Sequence, residues 1–376
     1  MRELQFISSG HLEWRERDSP RLRDAGDAIV RPFVAARCDG DTLPLHRPVS
    51  RPMQIGLRTG LIDPVVGSIC GDIPFRGPFG IGHECVAQVV SVGADVRDLR
   101  IGQIVVVPWS VSCGDCIECS RGLTAKCSTT RHETLAAYGF GPRCGDWGGM
   151  VADEIRVPYA DHMLVPVPDG VDPLRVAAAS DNLSDAWRSV VPQLAHRPGG
   201  SVLVLGGGGK SIGLYAAGLA VAHGAEVVDY VDSDPRRLEI AADFGARVHK
   251  IDKPGQSSLR RVLPQRYDIA VEASSRASGV RAALRALEPG GVCTAVGYYV
   301  STGTKVPLMH MYANDATLKL GVSHVRPHLP DVLDFVARTD FPAERITTLT
   351  ADWEDAPTAY AERTVKLVLQ RAPLEL

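Results

Sequence analysis

The chain has 376 residues, 45% of them hydrophobic and 23% charged, with a formal net charge of −3. That length suits two domains and a large core, and the composition is that of an ordinary globular protein. With no basic run or stripe nothing points to nucleic acid, and no stretch approaches the ~18 consecutive apolar residues of a membrane span.

The N-terminal stretch MRELQFISSGHLEWRERDSP has no apolar leader core, so a cytoplasmic protein is expected. Short apolar runs at Leu4–Ser8 and Ala28–Arg37 read as β-strands, the second leading to Cys38. Residues 47–80 are rich in Pro and Gly, with one helix expected around Ile55–Leu61. Strands follow at Val86–Val92 and Ile104–Val107, and the second enters the segment VSCGDCIECSRGLTAKC. A loop-like stretch extends to about Met150, strands resume at Ile155–Val157 and Met163–Val167, and Pro173–Ala195 reads as a helical pair.

After Gly199 strands and helices alternate. Apolar strands are expected at Val202–Leu205, Val227–Val231, Val248–Ile251, Ile269–Ala273, Val292–Val296 and Leu318–Val322, with helices at Arg236–Phe244 and Gly279–Leu287. Six such strands fit a doubly wound parallel sheet. The remaining segment offers a helix at Asp331–Ala337 and a strand at Val365–Leu369.

The sheet opens on a dinucleotide-binding pattern. Val202–Leu205 ends in Gly206–Gly209, a helix runs from Ile212 to His223, and a second strand, Glu226–Val231, ends at Asp232. Gly207, Gly209 and Gly213 let backbone approach a pyrophosphate, although one extra residue precedes the last glycine. Ser211 and Ile212 stand at the helix start, where free N–H groups and the positive dipole end favour phosphate. Asp232, 19 residues after Gly213, can accept from a ribose diol, so NAD is expected over NADP. Arg236 and Arg237, the features that oppose this preference, read as part of the following helix.

Nine cysteines, four of them within fifteen residues, point to metal rather than disulfides in such a chain. Cys113, Cys116, Cys119 and Cys127 follow C-x2-C-x2-C-x7-C, a donor set for a closed, structural Zn²⁺ site; an iron–sulfur cluster uses the same donors. A second, dispersed set is Cys38, the pair His83–Glu84, and Asp181. Taken singly, these read equally well as a buried thiol, a satisfied core histidine and a helix cap.

In combination these features resemble the zinc-dependent medium-chain alcohol dehydrogenases over nearly the whole chain. The resemblance is carried by Cys38 with Asp41 after an early strand, Gly82-His83-Glu84, VSVGADVRDLRIGQIVVV at 90–107, the four-cysteine lobe, GGMVADEIRVPYAD at 148–161 and the nucleotide fold. It implies a GroES-like, β-rich catalytic domain over 1–170, a Rossmann domain over 171–325 and a segment at 326–376 returning to the first. It also implies a catalytic Zn²⁺ held by Cys38, His83 and Asp181, with Asp185 as a nearby rival, an open position for an alcohol oxygen, and hydride transfer to a nicotinamide lying beside the metal in the cleft between domains. Glu84 is expected to adjust the coordination and Asp41 to orient His83.

Two departures stand out. The family's usual Ser or Thr two residues after the ligand cysteine is Gly40 here, which leaves Asp39, Thr42 or Ser180 to carry the alcohol proton. Residues 47–76 lengthen the gap to His83 and read as an insertion near the substrate or at an interface. The expected partner is a small alcohol, such as a polyol or secondary alcohol, with a homo-oligomer, dimer or tetramer, as the assembly. The rival readings are a dehydrogenase of formaldehyde or another aldehyde, suggested by Asp181, and an NAD-binding redox sensor without turnover.

Overall fold

A computed structural model describes residues 1–252, 259 and 261–375. The chain divides into two compact units, Met1–Ser184 with His324–Leu376, and Asp185–Ser323.

The first unit is built on a seven-stranded mixed sheet. Its strands run in the order Leu349–Asp352, Leu367–Gln370, Ala28–Ala36, Glu84–Val92, Ile104–Val107 and Val165–Pro166, with Ile155–Val157 pairing alongside Ala28–Ala36. The central strand Ala28–Ala36 is apolar at nearly every position and buried almost throughout, as befits a strand covered on both faces. Leu4, Val30, Ala87, Val105, Tyr138 and Trp353 belong to one apolar core around it. A smaller sheet, His11–Glu16, Arg2–Ser8 and Phe79–Gly80, completes the β-rich unit.

Register decides what meets at the end of the large sheet. Ala36 pairs with Glu84 and with Val368. Cys38, two residues beyond Ala36, therefore leaves the sheet at the end where His83 enters it and Lys366 approaches it.

The second unit is a six-stranded parallel sheet in the order Arg247–Lys250, Val228–Asp232, Val202–Leu205, Tyr267–Glu272, Leu287–Ala295 and Thr317–Leu320. All six expected strands are present, and the doubly wound order is the expected one. Val202–Leu205 is buried at all four residues, at the centre of the sheet.

Several boundaries differ. The expected helical pair at 173–195 is a run of turns followed by one helix, Asn182–His196. Ser180 is bound on both sides, its carbonyl to Trp109 N–H and its hydroxyl to Cys85 N–H and C=O, so the chain there cannot close helical bonds. Met163 ends a helical turn, Ala160–Met163, and the strand is only Val165–Pro166. Asp161 in that turn accepts from the backbone N–H groups of Arg97 and Asp98, which holds the turn closed. Residues 47–76 carry two helices, Ser50–Arg58 and Val65–Cys70, rather than one. The helix expected at Asp331–Ala337 extends over Val325–Thr339, whose apolar face buries Leu329, Val332, Leu333 and Val336.

Candidate functional site

The four-cysteine segment folds as a compact lobe. The Sγ atoms of Cys116 and Cys127 are 3.8 Å apart, and those of Cys127 and Cys113 3.6 Å apart. Tetrahedral zinc with Zn–S bonds of about 2.3 Å sets its sulfurs roughly 3.8 Å apart. Backbone N–H groups of Cys113 and Cys116 point at the sulfurs of Cys127 and Cys113. The sulfurs of all four cysteines lie within 4.8 Å of one another. Burial works against ionisation of Cys116, yet the N–H of Cys119 and the Ser128 donors bring its thiol down to about 6. Cys116→Ser should remove the metal of this lobe and destabilise it while the other cluster keeps its own, because closed thiolate sites contribute folding energy. Metal analysis showing unchanged zinc in a folded Cys116→Ser protein would count against that assignment.

The second cluster is Cys38, His83 and Asp181, which register and the turn before Asn182 bring together. Cys38 Sγ lies 3.1 Å and His83 Nε2 3.6 Å from the same oxygen, Asp181 Oδ2. Donors bound to one tetrahedral zinc at about 2.0–2.3 Å stand roughly 3.3–3.7 Å apart, so the set fits that ion. His83 is 2% exposed and neither ring nitrogen makes a hydrogen bond. A buried imidazole in that state is costly unless another ligand engages it. Burial alone disfavours its charge, but Asp41, Asp181 and Glu84 outweigh this and raise it to about 9. Metal binding at this set therefore displaces a proton.

Asp41 Oδ1 lies 3.6 Å from His83 Nδ1, and its Oδ2 accepts from the Tyr360 hydroxyl at 3.0 Å. That arrangement turns Nε2 toward Asp181 and Cys38. Asp185, the rival third donor, is instead paired with Arg188 one turn along its own helix.

Glu84 is fully buried and stands behind the cluster, outside the three-donor set. Its Oε1 accepts from the Asn182 backbone N–H at 2.9 Å, and its Oε2 from Lys366, which is also fully buried. Lys366 Nζ donates as well to Asn182 Oδ1 at 2.7 Å, and Asn182 Nδ2 donates to Cys38 Sγ at 3.2 Å and Asp181 Oδ2 at 3.0 Å. Sequence reasoning missed both Lys366 and Asn182. The available signal was a single lysine inside the apolar run TVKLVL.

Around Gly40, the proton-carrying candidates separate. The Ser180 hydroxyl is committed to the backbone of Cys85, and Thr42 Oγ1 donates to the Asp39 carbonyl at 2.7 Å. Asp39 is 6% exposed, and its charge acts on Lys366 and Arg37.

In the second unit the glycine turn joins the strand Val202–Leu205 to the helix Lys210–Ala222. Gly207 has φ +151°, and a Cβ there would lie 2.8 Å from the Ser274 Cα. Gly206 lies directly over Asp232, whose Oδ2 a Cβ would meet at 2.2 Å. Gly209 N–H donates to the Ala273 carbonyl, Gly213 faces Ala273, and Ser211 and Ile212 are buried in the first helical turn.

Asp232 closes the strand Val228–Asp232 as expected. Its carboxylate is already engaged: Oδ1 accepts from Ser233 N–H, Asp234 N–H and Arg237 Nη2, and Oδ2 from the Tyr230 hydroxyl and Arg237 Nε at 2.8 Å. Burial pushes this carboxyl up, but the Arg237 guanidinium wins and holds it below the usual range. Arg237 does lie on the following helix, Pro235–Asp243, and reaches back from its first turn.

Residues 25–169 match the alcohol dehydrogenase GroES-like domain family, and residues 211–338 the zinc-binding dehydrogenase family. A solved alcohol dehydrogenase from Thermus sp. ATN1 is 30% identical, with a TM-score of 0.81 over 98% of this chain and 99% of that one. Zinc-type alcohol dehydrogenase B of Aspergillus flavus is 26% identical over 98% of this chain and 81% of its own length. The glutathione-independent formaldehyde dehydrogenase of Pseudomonas aeruginosa is 33% identical over 51% of this chain and 49% of its own. Fold and donor sets together define a hydride-transferring oxidoreductase with a catalytic-type and a structural-type zinc cluster. The chain belongs to the zinc-dependent medium-chain alcohol dehydrogenase family. Among the described residues no helix is long and apolar enough to cross a membrane.

Proposed function

We propose that this protein is an NAD-dependent dehydrogenase that interconverts a small alcohol and its carbonyl compound at the Cys38–His83–Asp181 centre. The observation that carries the reading is His83, buried between two acids with no hydrogen bond to either ring nitrogen. A zinc ion held by this donor set would supply Lewis-acid chemistry toward an alcohol oxygen. Cys38, His83 and Asp181 supply the ligands, Asp41 fixes the imidazole, and Lys366 with Asn182 holds Glu84 behind them. Asp39, next to Cys38, takes the hydroxyl proton in place of the missing side chain at Gly40. Gly207, Gly209, Ser211, Ile212 and Gly213 form the pyrophosphate turn, and Asp232 receives the adenosine ribose.

The test is a screen of alcohols and aldehydes with NAD, read as reduced nicotinamide, alongside metal analysis. Turnover with two zincs per chain is expected, one for each cluster. A single zinc confined to the four-cysteine lobe, with no turnover, would favour an NAD-binding sensor instead. The aldehyde reading draws support from Asp181 as the third donor and from the formaldehyde dehydrogenase relative; oxidation of formaldehyde but of no alcohol in the screen would establish it. The edge strand Thr317–Leu320 exposes Leu320, and the helix before it, Leu308–Ala313, exposes Leu308, Met309 and Tyr312, which supports a homo-oligomer.

Cofactor preference gives a sharper check. NAD should turn over with higher kcat/KM than NADP, since the Asp232 carboxylate holds Arg237 in a two-bond pair and so keeps that guanidinium from a 2′-phosphate. Arg237→Gln leaves that carboxylate uncompensated and should widen the preference. Equal kcat/KM with the two cofactors in the unaltered protein would refute it.

A further inference from the structure

The Asn182 side chain makes three hydrogen bonds within this centre. Its Oδ1 accepts from Lys366 Nζ at 2.7 Å, and its Nδ2 donates to Cys38 Sγ at 3.2 Å and to Asp181 Oδ2 at 3.0 Å. The orientation of the amide follows from chemistry. An ammonium has only donors, so the atom facing Lys366 must be the carbonyl oxygen, and the NH₂ must then face the thiol and the carboxylate. Lys366 is itself held by Glu84, and Glu84 Oε1 accepts from the Asn182 backbone N–H at 2.9 Å. All five groups, Asn182, Lys366, Glu84, Cys38 and Asp181, are buried or nearly so.

We propose that Asn182 is a positioning residue of the metal centre: with its amide locked by Lys366, it ties the Cys38 sulfur to Asp181 Oδ2 and draws electron density off the sulfur. The proposal rests on the reading of Cys38, His83 and Asp181 as metal ligands. It explains why the carboxylate at Asp181 joins the set: the residue after it holds it against Cys38. Outer partners that donate to metal ligands fix their orientation and set their donor strength, and losing one costs about 10–100-fold in metal affinity.

The test uses the full chain loaded with Co²⁺, whose thiolate-to-metal absorption reports the sulfur directly. The relevant component is the one that Cys38→Ser removes. If the unaltered protein lacks that component, the reading of the cluster as a metal centre fails, and the role of Asn182 with it. With the component present, Asn182→Leu keeps the side-chain size but removes both donors. Its band moves to longer wavelength, because a sulfur that loses the Asn182 donor and keeps only the Gly40 N–H, at 3.3 Å, holds its electrons less tightly. Its Co²⁺ affinity at this centre falls by about 10–100-fold, while the four-cysteine lobe keeps its metal.

Asn182→Asp, which places an acceptor beside the sulfur, moves both readings in the same direction and serves if the leucine variant does not fold. Lys366→Arg keeps a donor toward the Asn182 oxygen and leaves the band where it is. An unshifted band with unchanged Co²⁺ affinity in either folded Asn182 variant overturns the proposal. So does an equal shift in Lys366→Arg, which would assign the effect to packing.

Discussion

Lys366→Met should destabilise the first unit by about 3–5 kcal/mol, the usual cost of leaving one member of a buried ion pair alone. The loss arises at Glu84, which has no exposure and whose remaining donor is one backbone N–H from Asn182. Burial already pushes Glu84 up to about 7 from an ordinary 4.5, although Lys366 pulls it down. Without Lys366 that pull disappears and the folded-state value rises further. A carboxyl whose folded pKa exceeds its unfolded one binds more protons when folded, so its contribution to stability falls as pH rises through that window. The deficit of the variant should therefore be smallest near pH 5 and grow toward pH 8. Urea titrations at the two pH values measure it, and adding Glu84→Gln should recover most of the loss because no uncompensated charge remains. A deficit independent of pH and untouched by the second substitution would point to packing alone.

Asp39→Asn should lower the turnover number by about 10²-fold or more, the usual scale for losing a general base. Zinc content and NAD affinity should stay unchanged, since neither metal cluster nor the glycine turn contains Asp39. The structure sharpens the choice among the candidates. Ser180 has both hydrogen-bonding roles of its hydroxyl taken by Cys85, and Thr42 gives its proton to the Asp39 carbonyl. Asp39 alone of the three brings a buried carboxylate. Near-normal turnover with metal intact would move the proton path to Thr42, Ser180 or bulk water.

The parts that could be read from sequence are those written in local spacing. Val202–Leu205 followed by four glycines announces a strand and turn, and the spacing of Cys113 to Cys127 announces a four-thiolate lobe. Cys38 and Asp181 touch across 143 residues, and only strand register brings Cys38 beside His83. No periodicity encodes such a contact, so that set was legible only through resemblance to a family. Lys366 was hidden for another reason. A lysine in an edge-like run ordinarily faces water, and here the pairing of Val368 with Ala36 turns it inward toward Glu84. The Arg237–Asp232 pair was half legible: the helix was expected, while the reach of a long side chain back past its first turn was not.

The first unit is interrupted in sequence by the whole of the second, and this sets a timetable for a nascent chain. Synthesis delivers Cys38, His83 and Asp181 early, but the counter-ion of Glu84 arrives 282 residues after it. Until then the Val34–Ala36 edge lacks the strand Leu367–Gln370, and a buried carboxylate lacks its cation. The ribosome must finish Asp185–Ser323 before the lobe that began first can close. An arrested chain would present an open strand edge of the kind that recruits chaperones or pairs with its neighbours.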